Sequence, residues 1–281
     1  MKAESEAVAK KVSIIMAAFN AEETICESID SILAQTFQDW EFIICDDGSK
    51  DQTWDILQEY AERYPNRIIP IQNEVNSKLP FSLNHCLQVA TGEYIARMDA
   101  DDRSHPDRLE KQVSYLDSHP EMDVVGTGMT CFNDEDITGV RLPPEQPSPR
   151  IIGMGVPFFH ATIMMKRSVY EELGGYSLEP YVLRCEDVDL WIRFFGEGHQ
   201  GANLQEPLYY VREDMAATKR RNLKNGINAS RTLFHGFRRY HYPLKQYVLT
   251  LKPIVSTLTP QKWKYYLNQR RWKKNLNQHE G

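Results

Sequence analysis

Cysteine is scarce and scattered. The five thiols, Cys26, Cys45, Cys86, Cys131 and Cys185, are odd in number and no CxxC spacing occurs. That excludes a disulfide framework and a thiolate zinc site, and suits buried thiols in a reducing compartment. No stretch approaches the roughly 20 apolar residues of a membrane span. Residues 1–11 are charged and lack an apolar run, so no secretory leader is expected and a cytosolic location follows. The formal net charge of -6 is mild, which speaks against a nucleic-acid binder. Internal repeats and low-complexity segments are absent. So is a glycine-rich, cation-bearing phosphate loop: after the first apolar run the chain reads Ala17-Ala18-Phe19-Asn20.

With 281 residues the chain suits one large domain or two small ones with a substantial core. Its organising stretch is Tyr94-Ile95-Ala96-Arg97-Met98-Asp99-Ala100-Asp101-Asp102, an apolar run that ends in three carboxylates. As a strand it would deliver Asp99 at its C-terminal end, where ligands of open α/β sheets collect. Asp99 and Asp101 would alternate on one side of an extended segment and could share a hard cation such as Mg²⁺ or Mn²⁺ with substrate phosphates. The competing structural reading is an acidic loop that caps a helix starting near Pro106. An EF-hand fails, because Arg103 and Ser104 stand where such a loop needs an oxygen ligand and a glycine.

The apolar run 12–17 reads as a strand buried on both faces. Asn20 with Glu23 three residues on reads as a capping box for a following helix. A second strand at 40–45 ends in Asp46-Asp47-Gly48-Ser49. A helix over 52–63, a strand at 68–72 and a helix over 81–90 then lead to the central strand. This alternation describes βαβ units and a mostly parallel sheet. Further on the pattern predicts a helix to about 118, one strand over 122–131, a surface loop through the prolines of 143–149, a strand at 160–165, helices over 168–173 and 186–195, and a strand at 206–211. From about 215 the chain reads as helical and increasingly basic.

Three clusters carry chemistry. Asp46 and Asp47 sit at the same sheet edge as Asp99 and could accept from a base N–H or a ribose hydroxyl; the alternative is an ordinary Asp-Asp-Gly-Ser turn. Glu186 and Asp187 open a helix, where they favour its dipole. A carboxylate so held stays ionised and can serve as general base, with Asp187 the candidate. His160 is the competing base, or simply a core histidine.

The runs at 12–20 and 46–49, Asp99-Ala100-Asp101-Asp102 and Glu186-Asp187 together resemble the ordered signature of family 2 glycosyltransferases, over roughly residues 12–212. Gly174-Gly175-Tyr176 and Pro207-Leu208-Tyr209-Tyr210-Val211-Arg212 are similar to the branch that builds bacterial capsule, exopolysaccharide or lipopolysaccharide. The resemblance implies a GT-A fold with helices flanking a mixed, mostly parallel sheet. Residues 1–212 would form the catalytic domain, with a nucleotide-sugar half at about 12–102 and an acceptor half at about 103–212. Residues 213–281 would be a helical, basic-aromatic extension. The donor would be a UDP-sugar and the cofactor Mn²⁺ or Mg²⁺. Ala17, Phe19, Asn20 and Glu22 would flank the base and ribose. Phe19 would stack, and Asp46 or Asp47 would meet uracil. Asp99, with Ala100 beside it, would touch ribose or metal-bound water, and Asp101 would ligate the metal. Asp187 would deprotonate the acceptor hydroxyl for transfer with inversion. Lys78, Arg97 and the run Lys219-Arg220-Arg221 are candidate contacts to the donor. The acceptor would be a growing, lipid-linked glycan at the inner face of the membrane. The cation-aromatic interleaving of residues 262–274 reads as an interfacial segment or as a basic helix docked on the body. The rivals are a sugar-phosphate nucleotidyltransferase, which the missing phosphate loop disfavours, and a non-catalytic nucleotide- or glycan-binding module.

Overall fold

The structure is a computed structural model, and it describes residues 10–133, 136–213 and 222–257. Strand β1 (Val12–Ala18) lies between two parallel neighbours, β2 (Trp40–Asp46) and β4 (Tyr94–Arg97). This position explains its unbroken apolar sequence. Val12, Ile14, Met16 and Ala18 face one core and Ile15 faces the other, as the two-residue period of a strand requires. The seven-stranded sheet runs β10-β6-β9-β4-β1-β2-β3, where β3 is Ile68–Gln72, β6 Val124–Thr127, β9 Met164–Lys166 and β10 Gly201–Leu204. Only β9 runs antiparallel to its neighbours, pairing β4 on one side and β6 on the other. The chain winds outward from β1 through β2 to β3 and then crosses back to β4. The gap between β1 and β4 is therefore the topological switch point, where such sheets bind ligands.

Helices α1 (Ile25–Leu33), α2 (Thr53–Arg63) and α4 (Arg108–Ser118) pack on the face of Ile14 and Met16. Helices α3 (Leu79–Val89), α5 (Arg167–Leu173), α6 (Glu186–Gly196) and α7 (Leu223–Arg239) pack on the other. Trp191, Phe194 and Phe195 of α6 gather around Phe158, with Phe237 of α7 in the same cluster. A second sheet, β5-β11-β7-β8, is made of Arg103–Ser104, Tyr209–Arg212, Met129–Phe132 and Ile137–Arg141.

Several expectations are corrected. The single strand at 122–131 is two strands, β6 and β7, in different sheets, with Gly128 at the break; a Cβ there would lie 2.5 Å from Leu142 and 3.0 Å from the Glu206 carbonyl. Residues 160–162 form a 3-10 turn ahead of β9. The capping box at Asn20 does not form. Helix α1 starts at Ile25, and Asn20, at φ 50°, instead accepts from the Lys50 N–H (2.9 Å) and donates its own N–H to the Ser49 hydroxyl (2.8 Å).

The turn into β4 depends on a close backbone approach. A Cβ on Gly92 would lie 2.5 Å from the Ser13 nitrogen and 2.8 Å from the Val12 carbonyl carbon. The Gly92 N–H donates to Ser13 Oγ (2.8 Å), which in turn donates to the buried Glu41 carboxylate (2.6 Å). Gly92→Ala is expected to cost about 1–3 kcal/mol of stability, read as a lowered denaturation midpoint with the slope unchanged.

Candidate active site

The carboxyl ends of β1, β2 and β4 converge on one edge. Ala18 pairs with Asp46, and Ile15 with Arg97. Beyond Arg97 the chain turns rather than extends, and the Asp102 N–H reaches the Asp99 carbonyl (3.4 Å). A turn, and not strand alternation, thus brings Asp99 and Asp101 together. Helix α1 holds that turn. The Thr24 and Ser28 hydroxyls both donate to the Ala100 carbonyl (2.9 Å each), and Ser28 also reaches the Asp102 carbonyl (2.7 Å).

Arg97 is the electrostatic centre. Its buried guanidinium grips Asp99 with two hydrogen bonds of 2.5 and 3.0 Å, the bidentate geometry favoured by arginine and carboxylate. Burial works against its charge, but Asp99 holds its pKa above the ordinary value. Arg108, fully buried, donates to the Arg97 carbonyl (3.0 Å) and lies over the Tyr209 ring; burial lowers its pKa to about 10. The Tyr209 hydroxyl accepts from the Asp99 N–H (3.1 Å). Asp102 accepts from the Arg212 N–H (2.8 Å), and desolvation together with the Asp99 and Asp101 charges pushes its carboxyl well up. Asp101 stands at the exposed lip, and its carboxyl too is raised, by desolvation first and then by Asp99.

The Asp46-Asp47-Gly48-Ser49 turn is heavily engaged. Asp46, fully buried, accepts from the Ser49 N–H (3.2 Å) and the Gln72 amide (2.9 Å). Asp47 accepts from the Asn73 amide (2.9 Å) and from the N–H groups of Ser77 (2.8 Å) and Lys78 (2.9 Å). In this state Asp47 organises the 73–78 loop. Gly48 takes φ +72°, and a Cβ there would sit 2.9 Å from Val75 backbone. Ala17 is half-buried beneath this edge. Phe19 stands 46% exposed at the end of β1. Glu22 accepts from the Gln52 N–H (2.9 Å), tying the β1 loop to α2. Lys78, at φ 78°, points its ammonium to Asn76 (2.6 Å).

Across the edge, α6 presents Glu186 and Asp187. Desolvation raises both carboxyls, and in each case the charge of Arg97 opposes the rise. The field of the Arg97 charge thus reaches this helix start as well as Asp99. Asp187 Oδ1 accepts from the Val188 N–H (2.8 Å), and one Glu186 oxygen is buried with no hydrogen-bond partner. Asp187 also lines a cavity of about 290 Å³ with Val188, Trp191, Met154, Val156 and Leu233. His160 is packed edge-on against Trp191 and Tyr176, with Nε2 2.9 Å from the Tyr176 hydroxyl. Desolvation, and next the Arg97 charge, hold its pKa well below the ordinary value, so it stays neutral within an aromatic wall.

Among the described residues no three His, Cys, Asp or Glu side chains form a ready metal site. The donors at the lip are hard carboxylate oxygens, which fits Mg²⁺ or Mn²⁺ completed by phosphates and water rather than by a protein cage. Asp101 is the carboxylate placed to reach such an ion, because Arg97 already occupies both oxygens of Asp99. The sequence reading overlooked Tyr209, Arg108, Asp102 and Tyr176 as parts of this site. Tyr209, Tyr176 and Asp102 lay in motifs already singled out, whereas nothing local marked Arg108, which looked like an ordinary surface cation of a helix start. Residues 219–221 and 262–274 lie outside the described residues.

Carboxylates gathered at the switch point of this mostly parallel sheet form a ligand edge of an open α/β fold. The family model described as glycosyl transferase family 2 matches residues 13–174. The putative glycosyltransferase EpsE of Bacillus subtilis (strain 168) is 47% identical over 271 residues, covering 96% of each chain. The Escherichia coli UDP-Glc:alpha-D-GlcNAc-diphosphoundecaprenol beta-1,3-glucosyltransferase WfaP is 30% identical over 226 residues, covering 79% of this chain and 85% of that protein. Among solved structures, the mannosyltransferase PcManGT from Pyrobaculum calidifontis in complex with GDP-Man and Mn2+ superposes with a TM-score of 0.65 at 17% identity, covering 96% of this chain and 85% of that one. The chain belongs to glycosyl transferase family 2. No described helix is long and apolar enough to cross a membrane.

Proposed function

We propose that this enzyme transfers a sugar from a UDP-sugar to a hydroxyl of a growing, lipid-linked bacterial surface glycan, with inversion at the anomeric carbon. The observation that carries the reading is the acidic turn at the switch point after β4, where buried Arg97 holds Asp99 and leaves Asp101 exposed at the lip. Similarity to WfaP, whose name specifies a UDP-Glc donor and a diphosphoundecaprenol-linked acceptor, supports both substrate classes.

In this reading Phe19 stacks on the base, the Asp46-Asp47 turn shapes the nucleoside pocket, and Asp101, beside the Arg97-bound Asp99, would hold Mn²⁺ or Mg²⁺. A bound divalent ion would supply charge neutralisation to the departing UDP. The acceptor hydroxyl enters beside Asp187, its oxygen bonds to the anomeric carbon as the bond to the diphosphate breaks, and its proton passes to the Asp187 carboxylate. Glu186 and Arg97 set the field in which that carboxylate works, and neutral His160 with Tyr176 and Trp191 forms the wall. Asp187, at the cavity, has the better position for the base than His160, whose Nε2 is engaged with Tyr176.

The test is UDP release from a panel of UDP-sugars with Mn²⁺ and with EDTA, in the presence of membrane lipid extract as acceptor source. Metal-dependent release with one donor is the expected result. Failure to bind UDP in the presence of either ion would overturn the assignment of the donor.

A further inference from the structure

The segment that follows α7 is built inside out. A 3-10 helix, Leu244–Leu251, continues directly into α8 (Lys252–Thr257). Its buried residues include Gln246 and Thr250, whereas Leu244, Val248, Leu251 and Val255 are 86, 67, 59 and 60% exposed. Val248 and Leu251 stand one 3-10 turn apart on one line and Val255 follows about a turn into α8, while Leu244 flanks them; their exposure marks all four as one outward apolar patch. In water the opposite arrangement is favoured. Of the inward polar groups, the Thr250 hydroxyl donates to the Tyr247 carbonyl (2.7 Å) and Gln246 Nε2 to the Arg150 carbonyl (3.4 Å), while Gln246 Oε1 is buried with no hydrogen-bond partner among the described residues. Lys252 Nζ donates to the Gly153 and Met154 carbonyls (3.2 and 2.6 Å) and pins the segment to a loop on which Met154 and Val156 are also exposed.

Two further observations select what covers this patch. The first is charge. Residues 215–281 carry fifteen lysines and arginines against one acidic residue, Glu280, whereas residues 1–214 carry 18 basic and 38 acidic ones. An outward apolar patch in a strongly cationic segment is complementary to a surface with anionic headgroups over an apolar interior. Isologous pairing of two copies would bring two such cationic segments together, which their charge opposes. The second is continuity with the site. Lys252, Pro253 and Ser256 of α8 form one wall of the cavity that Asp187 and Trp191 line from the other side.

We infer that the Leu244–Val248–Leu251–Val255 patch, with Met154 and Val156, docks on an anionic bilayer surface and opens the Asp187 cavity toward acceptors held in that bilayer. The second clause rests on the proposed role of Asp187; the docking stands without it.

The test uses the full chain and two kinds of vesicle, phosphatidylcholine alone and phosphatidylcholine with phosphatidylglycerol. Wild type, Leu244→Asp/Val248→Asp/Leu251→Asp and the single variant Val255→Asp are compared by co-sedimentation, with Mn²⁺-dependent UDP affinity and light scattering measured on the same samples. Wild type should bind the anionic vesicles, less well at high salt. The triple variant should lose on the order of a hundredfold in vesicle affinity, and the single variant about tenfold. UDP affinity should stay unchanged in both. Equal vesicle binding by all three proteins, or none by wild type, would overturn the proposal. So would a wild-type dimer that the triple variant dissolves with vesicle binding unaltered, which would assign the patch to a second copy. Should no protein bind UDP while the vesicle pattern holds, the docking survives and the donor assignment falls.

Discussion

Asp187→Asn is expected to lower the rate of sugar transfer by about 10²- to 10⁴-fold, the usual contribution of a positioned general base, while UDP affinity stays within a factor of two or so. The separation follows from location. Asp187 lies at the start of α6, against the cavity, and makes no hydrogen bond with the Asp46-Asp47 turn or with the acidic turn after β4. Asparagine keeps the size and the acceptor oxygen for the Val188 N–H but cannot take a proton. The pH profile gives an independent reading. Burial raises the Asp187 carboxyl, with Arg97 in opposition, and only the ionised form accepts the acceptor proton. Transfer should therefore fall as pH drops through that raised pKa, at a higher pH than an exposed aspartate near about 3.9 would give. The acid limb should vanish in Asp187→Asn. Wild-type turnover in this variant would move the base elsewhere.

Asp101→Asn should act at the other end of the reaction. Loss of the carboxylate proposed to reach the ion is expected to weaken Mn²⁺-dependent UDP binding on the order of a hundredfold, with a smaller change in any binding that persists in EDTA. Titration of UDP by calorimetry with and without Mn²⁺ measures both. The variant should fold well, because Asp101 is exposed and its removal relieves repulsion with Asp99 and Asp102; a raised thermal midpoint without ligand is the companion result. Unchanged metal-dependent affinity would remove Asp101 from the metal site.

Much of this architecture could be read from the chain because its central strands are buried on both faces. Continuous apolar runs ending in Asp46 and Asp99 marked both strand and edge, and the strand at 68–72 was read to the residue. Reading faltered where side chains serve distant partners. Asn20 looked like a helix cap, but its amide spans to Lys50. The β6–β7 boundary hides in a run of residues that all suit strands, and only the crowding at Gly128 separates two sheets. Strand β10, Gly-Ala-Asn-Leu, has no β-branched residue to announce it, and two-residue β5 has no period to detect. In the site itself the carboxylates were visible by type. Their brace was not: Arg108, buried under Tyr209 and bonded to the Arg97 carbonyl, acquires its role only from contacts between distant parts of the chain.

The reversed strand β9 has a consequence for how this reaction centre comes into being. The outer edge of β4 is covered by β9 and the residues flanking it, some seventy positions later in the chain. Until those residues arrive, β4 presents an unpaired ladder, which is an adhesive edge for any neighbouring chain. The cost of closing so long a loop falls before its hydrogen bonds repay it. Assembly of the Arg97–Asp99 edge is therefore bound to the completion of the downstream half. A ribosome-bound fragment ending before residue 164 would hold the acidic residues without the sheet that aims them, and would be the form most exposed to aggregation and to chaperones.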